Sequence, residues 1–362
     1  MERSLYRSVC KDTKEQVREY FKEDESFVPP RPGARLPPCS ADITAHYSFD
    51  MAQQVHYPAD PFQPGPFYFL TPRKCGIFGV VCEQIPRQMN YLIDEAMSTG
   101  KGANSIISLL HYHFAVHGLG ENKVHLHADN CCGQNKNNYM IQYLSWRTMV
   151  GLHQEITLSF LLVGHTKFAP DWCFGLFKQV FRRTKVDCTE DIARAVDVSA
   201  EVNTSQLVGS QKGDVIVPAY TWDRFFSQHY TKLVGIKKYQ HFRFTSSSPG
   251  VVFVREYSDS AEIAIRILSN RSWEPDSSDL PDTIPRPGLS HERQQYLYEK
   301  IREFCSEDQQ DRVCPKPSAP PRDPLSDDEE DQEPSPKRSR RLCGICRMPG
   351  HTRRTCPENE DF

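Results

Sequence analysis

Between Ile43 and about Leu268 apolar residues recur with a period that switches between two and about 3.6, and the order of those switches limits the fold more than any other feature. Ile43, Ala45, Tyr47 and Phe49 alternate with Thr44, His46, Ser48 and Asp50, which predicts a half-buried strand ending in an aspartate. Phe67 to Leu70 and Cys75 to Cys82 read as two more strands joined through Pro72-Arg73-Lys74, so that three strands in succession form an antiparallel meander. Gly102 to Val116 has helical spacing and is stopped by Gly118. Val124, Leu126 and Ala128 then alternate with His125, His127 and Asp129, a second strand that ends in an aspartate. A helix from about Lys136 to Val150, a strand from Ile156 to Val163 and a helix beginning at Pro170-Asp171 complete the series. Proline at the first helical position is a standard start signal, because its missing N–H would have no partner there.

The order strand-strand-strand-helix-strand-helix-strand-helix resembles the ribonuclease H-like fold, an α/β architecture with a mixed five-stranded sheet flanked by helices. The resemblance implies that the first and fourth strands are neighbours and that carboxylates at their ends converge with one from the last helix. The residues at those places are Asp50, Asp129 and Asp171. Phosphoryl transfer needs such a cluster to hold two divalent cations about 3.5–4 Å apart, and an all-oxygen site suits Mg²⁺ or Mn²⁺. Taken singly, Asp50 and Asp129 are ordinary turn residues at strand ends and Asp171 an ordinary first-turn acid. Only their conjunction points to chemistry.

The flanks add candidates. Residues 125–138 are densely polar between an apolar strand and an apolar helix, and Asn130, Gln134, Asn135 and Lys136 are suited to contact phosphate, sugar or base edges of a nucleic acid. His165, in Gly164-His165-Thr166-Lys167, is a candidate metal ligand or proton shuttle. Cys131 and Cys132 have no supporting nucleophile motif, and the chain contains no phosphate-cradling glycine loop or dinucleotide fingerprint.

Near the C-terminus Cys343, Cys346, His351 and Cys356 have the spacing C-x2-C-x4-H-x4-C, by which three thiolates and an imidazole close a tetrahedron around Zn²⁺. A segment so short would draw its folding free energy from the metal. The array resembles the zinc knuckle family, which commonly binds single strands. Lys337, Arg338, Arg340, Arg341, Arg347, Arg353 and Arg354 surround the ligands without an intervening acid, although the 362-residue chain has a net charge of −3. Arg347, Arg353 and Arg354 are the candidate phosphate contacts.

These features divide the chain into a helical and proline-rich tail (1–40), a core with its extension (41–270), a disordered acidic and proline-rich linker with one short helix (271–336) and the basic run with the knuckle (337–362). The basic run resembles a nuclear localisation signal, and Ser326, ahead of four acids, resembles an acidophilic kinase site. No apolar run suits a signal peptide or a membrane span, so a nuclear protein with no membrane partner is expected. The thirteen scattered cysteines read as reduced core thiols and zinc ligands, not disulfides.

Tyr47-Ser48-Phe49-Asp50, His127-Ala128-Asp129-Asn130 through Asn137-Asn138, and Gly164-His165-Thr166 through Asp171 resemble a family of animal proteins that is itself similar to transposases with a ribonuclease H-like core. The resemblance covers roughly residues 40–260 and implies DNA cleavage and strand transfer by Asp50, Asp129 and Asp171. Such transposases carry a DNA-binding domain ahead of the core, and the forty-odd residues here are too few to hold one. The alternative function is therefore a non-catalytic DNA- or RNA-binding protein in which the core is a scaffold and the knuckle makes the contacts. Nucleic acid is the expected partner in both cases, and the sequence leaves oligomeric state open, a homo-oligomer included. Residues 200–268, with Trp222 to Phe226 and the basic-aromatic run 237–244, read as a strand-rich extension of the core.

Overall fold

The computed structural model describes residues 2–23, 26–63, 65–161, 168–210 and 212–317. The chain opens with α1 (Glu2–Tyr20) and a short hairpin of β1 (Lys22–Glu23) and β2 (Ser26–Phe27). It continues through β3 (Ala41–Tyr57), β4 (Arg73–Cys82), β5 (Arg87–Asp94), α2 (Ala103–Val116), β6 (Glu121–Ala128), α3 (Asn138–Met149) and β7 (Glu155–Phe160). Then come α4 (Ala169–Phe181), α5 (Thr189–Asp197), β8 (Asn203–Leu207), α6 (Trp222–Ser227), β9 (His241–Thr245), β10 (Val251–Arg255), β11 (Ile263–Arg266), α7 (His291–Tyr296) and α8 (Gln310–Val313).

Nine strands form one mixed sheet in the order β11-β10-β9-β7-β6-β3-β4-β5-β8. β3, β4 and β5 are an antiparallel meander, while β6 lies parallel to β3 and β7 parallel to β6. The α/β class with a helix-flanked mixed sheet is as expected, but the sheet has nine strands where five were expected. The four others come from residues 203–266: β9, β10 and β11 extend one edge and β8 the other.

Odd-numbered side chains of β3, such as Tyr47 and Phe49, enter a core with Ile106 and Leu110 of α2 and Met140, Leu144 and Trp146 of α3. On the opposite side Ala52, Val55, Ile77 and Leu92 pack with Phe174 and Phe177 of α4, Ile192 and Val196 of α5, and Leu297 and Ile301. This two-sided burial explains why the central strands are nearly continuous in apolar residues.

Several expectations are corrected. Phe67 to Leu70 is no strand: residues Gly65–Phe69 form a 3-10 turn in which Phe67 is buried while Tyr68 and Phe69 stand exposed, as suits a short apolar run among prolines. The third strand of the meander is β5, hidden in the sequence because Gln88 and Asn90 on it are polar yet fully buried. Asp50 does not end its strand, which runs on to Tyr57 with an irregularity between Ala52 and Val55. The N-terminal helix is no free tail, since Cys10 Sγ lies 3.1 Å from His46 Nδ1 and Gln84 Nε2 donates to Thr13 Oγ1 at 2.6 Å. The first part of the supposed linker is also structured. The π-helical turn Leu297–Ile301 that continues α7 buries Leu297, Ile301 and Cys305, which share one helical face, and α8 adds Val313 and Cys314.

Candidate functional site

The parallel pairing of β3 and β6 sets Ser48 opposite His127. Two residues further along each chain, on the same face, come Asp50 and Asp129. That face is polar along its length: His46 Nε2 and His127 Nδ1 are 2.6 Å apart, and burial holds both imidazoles neutral, His127 down at about 3.

The third carboxylate comes from α4, which reaches the site because of a glycine. Gly79 is the cross-strand partner of Asp50, and a Cβ added there would sit 2.6 Å from the Phe174 ring and 3.0 Å from the Gln88 side chain. With only hydrogen at that position, α4 packs directly on the sheet beside Asp50. A chain of buried amides ties the same helix down: Gln88 Nε2 donates to Asn90 Oδ1 (2.6 Å), Asn90 Nδ2 to Asn203 Oδ1 (3.3 Å), and Asn203 Nδ2 to the Cys173 carbonyl (3.1 Å). Sequence analysis overlooked Gly79, Gln88, Asn90 and Asn203. The signal that would have found them is two amides within an apolar strand, since a buried amide needs a partner.

The result is an Asp50 carboxyl that feels the charge of the two other aspartates. Burial pushes the Asp50 carboxyl up to about 7, Asp129 adds to the rise, the Met51 backbone N–H opposes it, and Asp171 raises it further. Asp50 and Asp129 are half-buried, and Asp171 is exposed on the first turn of α4. Each uses one oxygen: Asp50 Oδ1 accepts from the Met51 N–H (2.8 Å), Asp129 Oδ1 from the Cys131 N–H (3.1 Å) and Asn135 Nδ2 (2.7 Å), and Asp171 Oδ2 from the Phe168 N–H (3.2 Å). The second oxygen of each makes no hydrogen bond among the described residues. Three such oxygens are the donor type a hard cation takes. They are not drawn together as ligands, however: among the described residues no group of three or more His, Cys, Asp or Glu side chains is arranged to hold a metal ion.

The polar stretch after Asp129 serves a different purpose from the one expected. Asn135 and Lys136 are only 1% and 4% exposed. The Lys136 ammonium donates to Asn130 Oδ1 (3.0 Å), the Lys237 carbonyl (3.3 Å) and Gln240 Oε1 (3.0 Å), and Asn130 Nδ2 donates to the Leu161 carbonyl. Asn137 caps α3 by accepting from the Met140 N–H at 3.0 Å. Asn130, Asn135 and Lys136 thus hold the Asp129 loop, and the burial of Asn135 and Lys136 turns them away from the surface where a nucleic acid was expected, although Asn135 Oδ1 has no partner among the described residues. Gln134 remains half-buried. His165 and the knuckle residues Cys343, Cys346, Arg347, His351, Arg353, Arg354 and Cys356 lie outside the described residues.

The fold and this site define an α/β protein with a nine-stranded mixed sheet and three aspartates carried by β3, the end of β6 and the first turn of α4, of which Asp50 feels the charge of the other two. A family model described as "Domain of unknown function (DUF7869)" matches residues 71–262, more than half of the chain, and the chain belongs to that family. The match takes in Asp129 and Asp171 but begins after Asp50. No curated protein and no solved structure matches this chain.

Proposed function

We propose that the chain is a transposase-derived, nucleic-acid-binding protein whose five central strands form a ribonuclease H-like core, with Asp50, Asp129 and Asp171 as the carboxylates of a two-metal phosphoryl-transfer site. The observation that carries the reading is the coupling of Asp50 to both other aspartates. Strand order supports it, since β5-β4-β3-β6-β7 is the ribonuclease H-like sequence of neighbours with its antiparallel meander and parallel fourth and fifth strands.

Mg²⁺ or Mn²⁺ bound there would stabilise the attacking and leaving oxygens of an in-line displacement at phosphorus. The chain's own residues prepare the site in three ways. Asn135 and the Cys131 N–H orient the Asp129 carboxylate, so that its geometry is preset. Gly79 and the amide chain ending on Cys173 hold α4 against the sheet and keep Asp171 within reach. Asp50, with its raised pKa, gives up a proton when a cation approaches, so cation affinity should rise between about pH 5 and 7. In the same reading Cys343, Cys346, His351 and Cys356 bind Zn²⁺, Arg347, Arg353 and Arg354 contact phosphate, and the run 337–341 directs the protein to the nucleus.

The test is nicking of supercoiled plasmid by the full chain with Mn²⁺ or Mg²⁺. Cation-dependent nicking lost in Asp129→Asn is the expected result. A second reading, non-catalytic binding on the old scaffold, is favoured by the lack of a preformed three-ligand group among the described residues. Its signature is oligonucleotide binding that needs Cys343 and Cys346, with no nicking under any cation.

A further inference from the structure

The geometry points to a second site: the groove between the 58–72 segment and the C-terminal half of α4 is a channel for an unpaired nucleic-acid strand. The inference deepens the nucleic-acid reading but does not depend on catalysis. The groove encloses a cavity of about 510 Å³ lined by Gln53, Gln54, His56, Tyr68, Lys178 and Arg182 among others, and no carboxylate belongs to its lining among the described residues. Residues 178–185 carry Lys178, Arg182, Arg183 and Lys185 without an acid among them.

The same segment carries exposed aromatics, Tyr68 in the lining itself. Phe62, Tyr68 and Phe69 are 92%, 77% and 84% exposed, a large apolar area for three residues within one segment. The Tyr68 and Phe69 rings stand perpendicular with centroids 5.3 Å apart. They are presented on an anchored turn: Phe67 between them and the core is buried with its ring 4.6 Å from that of Phe304, and the Thr71 N–H donates to the Tyr296 hydroxyl at 2.9 Å. Rigid exposed rings beside cations, with amide side chains on the floor, are what unpaired bases and their phosphates require, because every base offers a face to stack and every linkage a negative charge. The floor is mixed, with Val55, Leu70 and Phe181 beside three glutamines and a histidine, and the α4 cations facing no carboxylate in the described lining favour a phosphate-bearing strand over an apolar peptide helix.

The groove and the aspartate trio also share their two supports. Gln53 follows Asp50 by three residues on β3, about 10 Å along a strand. Lys178 follows Asp171 by seven residues on α4, about 10 Å along a helix. A strand held in the groove would therefore run toward the carboxylates.

The test is fluorescence anisotropy with a labelled single-stranded oligothymidylate, using the full chain in a background with Cys343→Ser/Cys346→Ser and with Lys337, Arg338, Arg340, Arg341, Arg347, Arg353 and Arg354 changed to Gln, so that neither the knuckle nor its basic run contributes, in EDTA so that catalysis is silent. Tyr68→Ala/Phe69→Ala should weaken binding roughly tenfold or more through lost stacking. Lys178→Ala/Arg182→Ala should reduce the slope of log affinity against log salt by about 1.4, at about 0.7 for each phosphate contact on a single strand. Tyr68, Phe69 and Arg182 are exposed and Lys178 is half-buried, so unchanged circular dichroism and melting temperature will certify the fold. Binding unaffected by both variants overturns the inference, as does loss of adhesion to anionic vesicles with oligonucleotide binding intact, which would make the segment a membrane contact. Because binding is read in EDTA, without any cation, failure of the catalytic reading leaves this result standing.

Discussion

Asp50→Asn should make the protein more stable, and only above about pH 4. At low pH the carboxyl is protonated in folded and unfolded chains alike, so the variant and the parent differ little. As pH rises past the ordinary aspartate range, near 3.8, the unfolded chain ionises Asp50 while the folded chain holds its proton up to about 7. The folded state then binds more protons than the unfolded state, and stability falls with increasing pH. About three pH units at about 1.4 kcal/mol each give a penalty of about 4 kcal/mol, fully developed above pH 7, and water at the half-buried carboxyl lowers this toward about 2 kcal/mol. Asparagine carries no charge and escapes the penalty. Urea denaturation of both proteins at pH 4, 5.5, 7 and 8 reads the difference directly, and it should open across that range and level off. Millimolar Mn²⁺ should narrow the gap at pH 8 by favouring ionised Asp50 in the parent alone. A gap that stays constant from pH 4 to 8 would refute the argument, since it would mean that neither burial nor the neighbouring Asp129 and Asp171 raises the Asp50 pKa.

Gly79→Ala should displace α4, because the new methyl meets the Phe174 ring and the backbone of the central β4 cannot yield. A loss of about 1–3 kcal/mol in stability is expected from such overpacking. Any divalent-dependent thermal shift should shrink with it, and Phe174→Leu in the same chain should restore part of both. Ile301→Ala should cost about 2–5 kcal/mol in urea denaturation, the range for deleting a fully buried aliphatic side chain. If residues 291–314 were a dispensable linker, the same substitution would cost nothing measurable.

Local periodicity was a good guide where the buried side chains are mainly apolar. β6, α2, α3 and α4 lie within a few residues of their expected positions, because their apolar residues recur at strand or helix spacing. It failed where burial is not apolar. Gln88 and Asn90 made β5 look like a loop, although their amides satisfy one another and Asn203 inside the protein. Proline content likewise overstated the linker, since composition averages over a segment and conceals the few residues, Leu297, Ile301 and Cys305, that make it pack.

The sequence alone was enough to name Asp50, Asp129 and Asp171 and the order of the elements that carry them, because residue type and period are local properties. Whether those acids influence one another is not local. It depends on β3 pairing parallel with β6 and on a glycine opposite Asp50 that lets α4 approach, contacts between positions far apart in the chain. The tertiary structure likewise decided that Asn135 and Lys136 face inward and that Tyr68 and Phe69 face water, reversing what their polarity suggests. A polar group can be buried once partners from distant segments surround it, and an aromatic ring stays exposed when Phe67 and the Thr71 N–H already secure the turn.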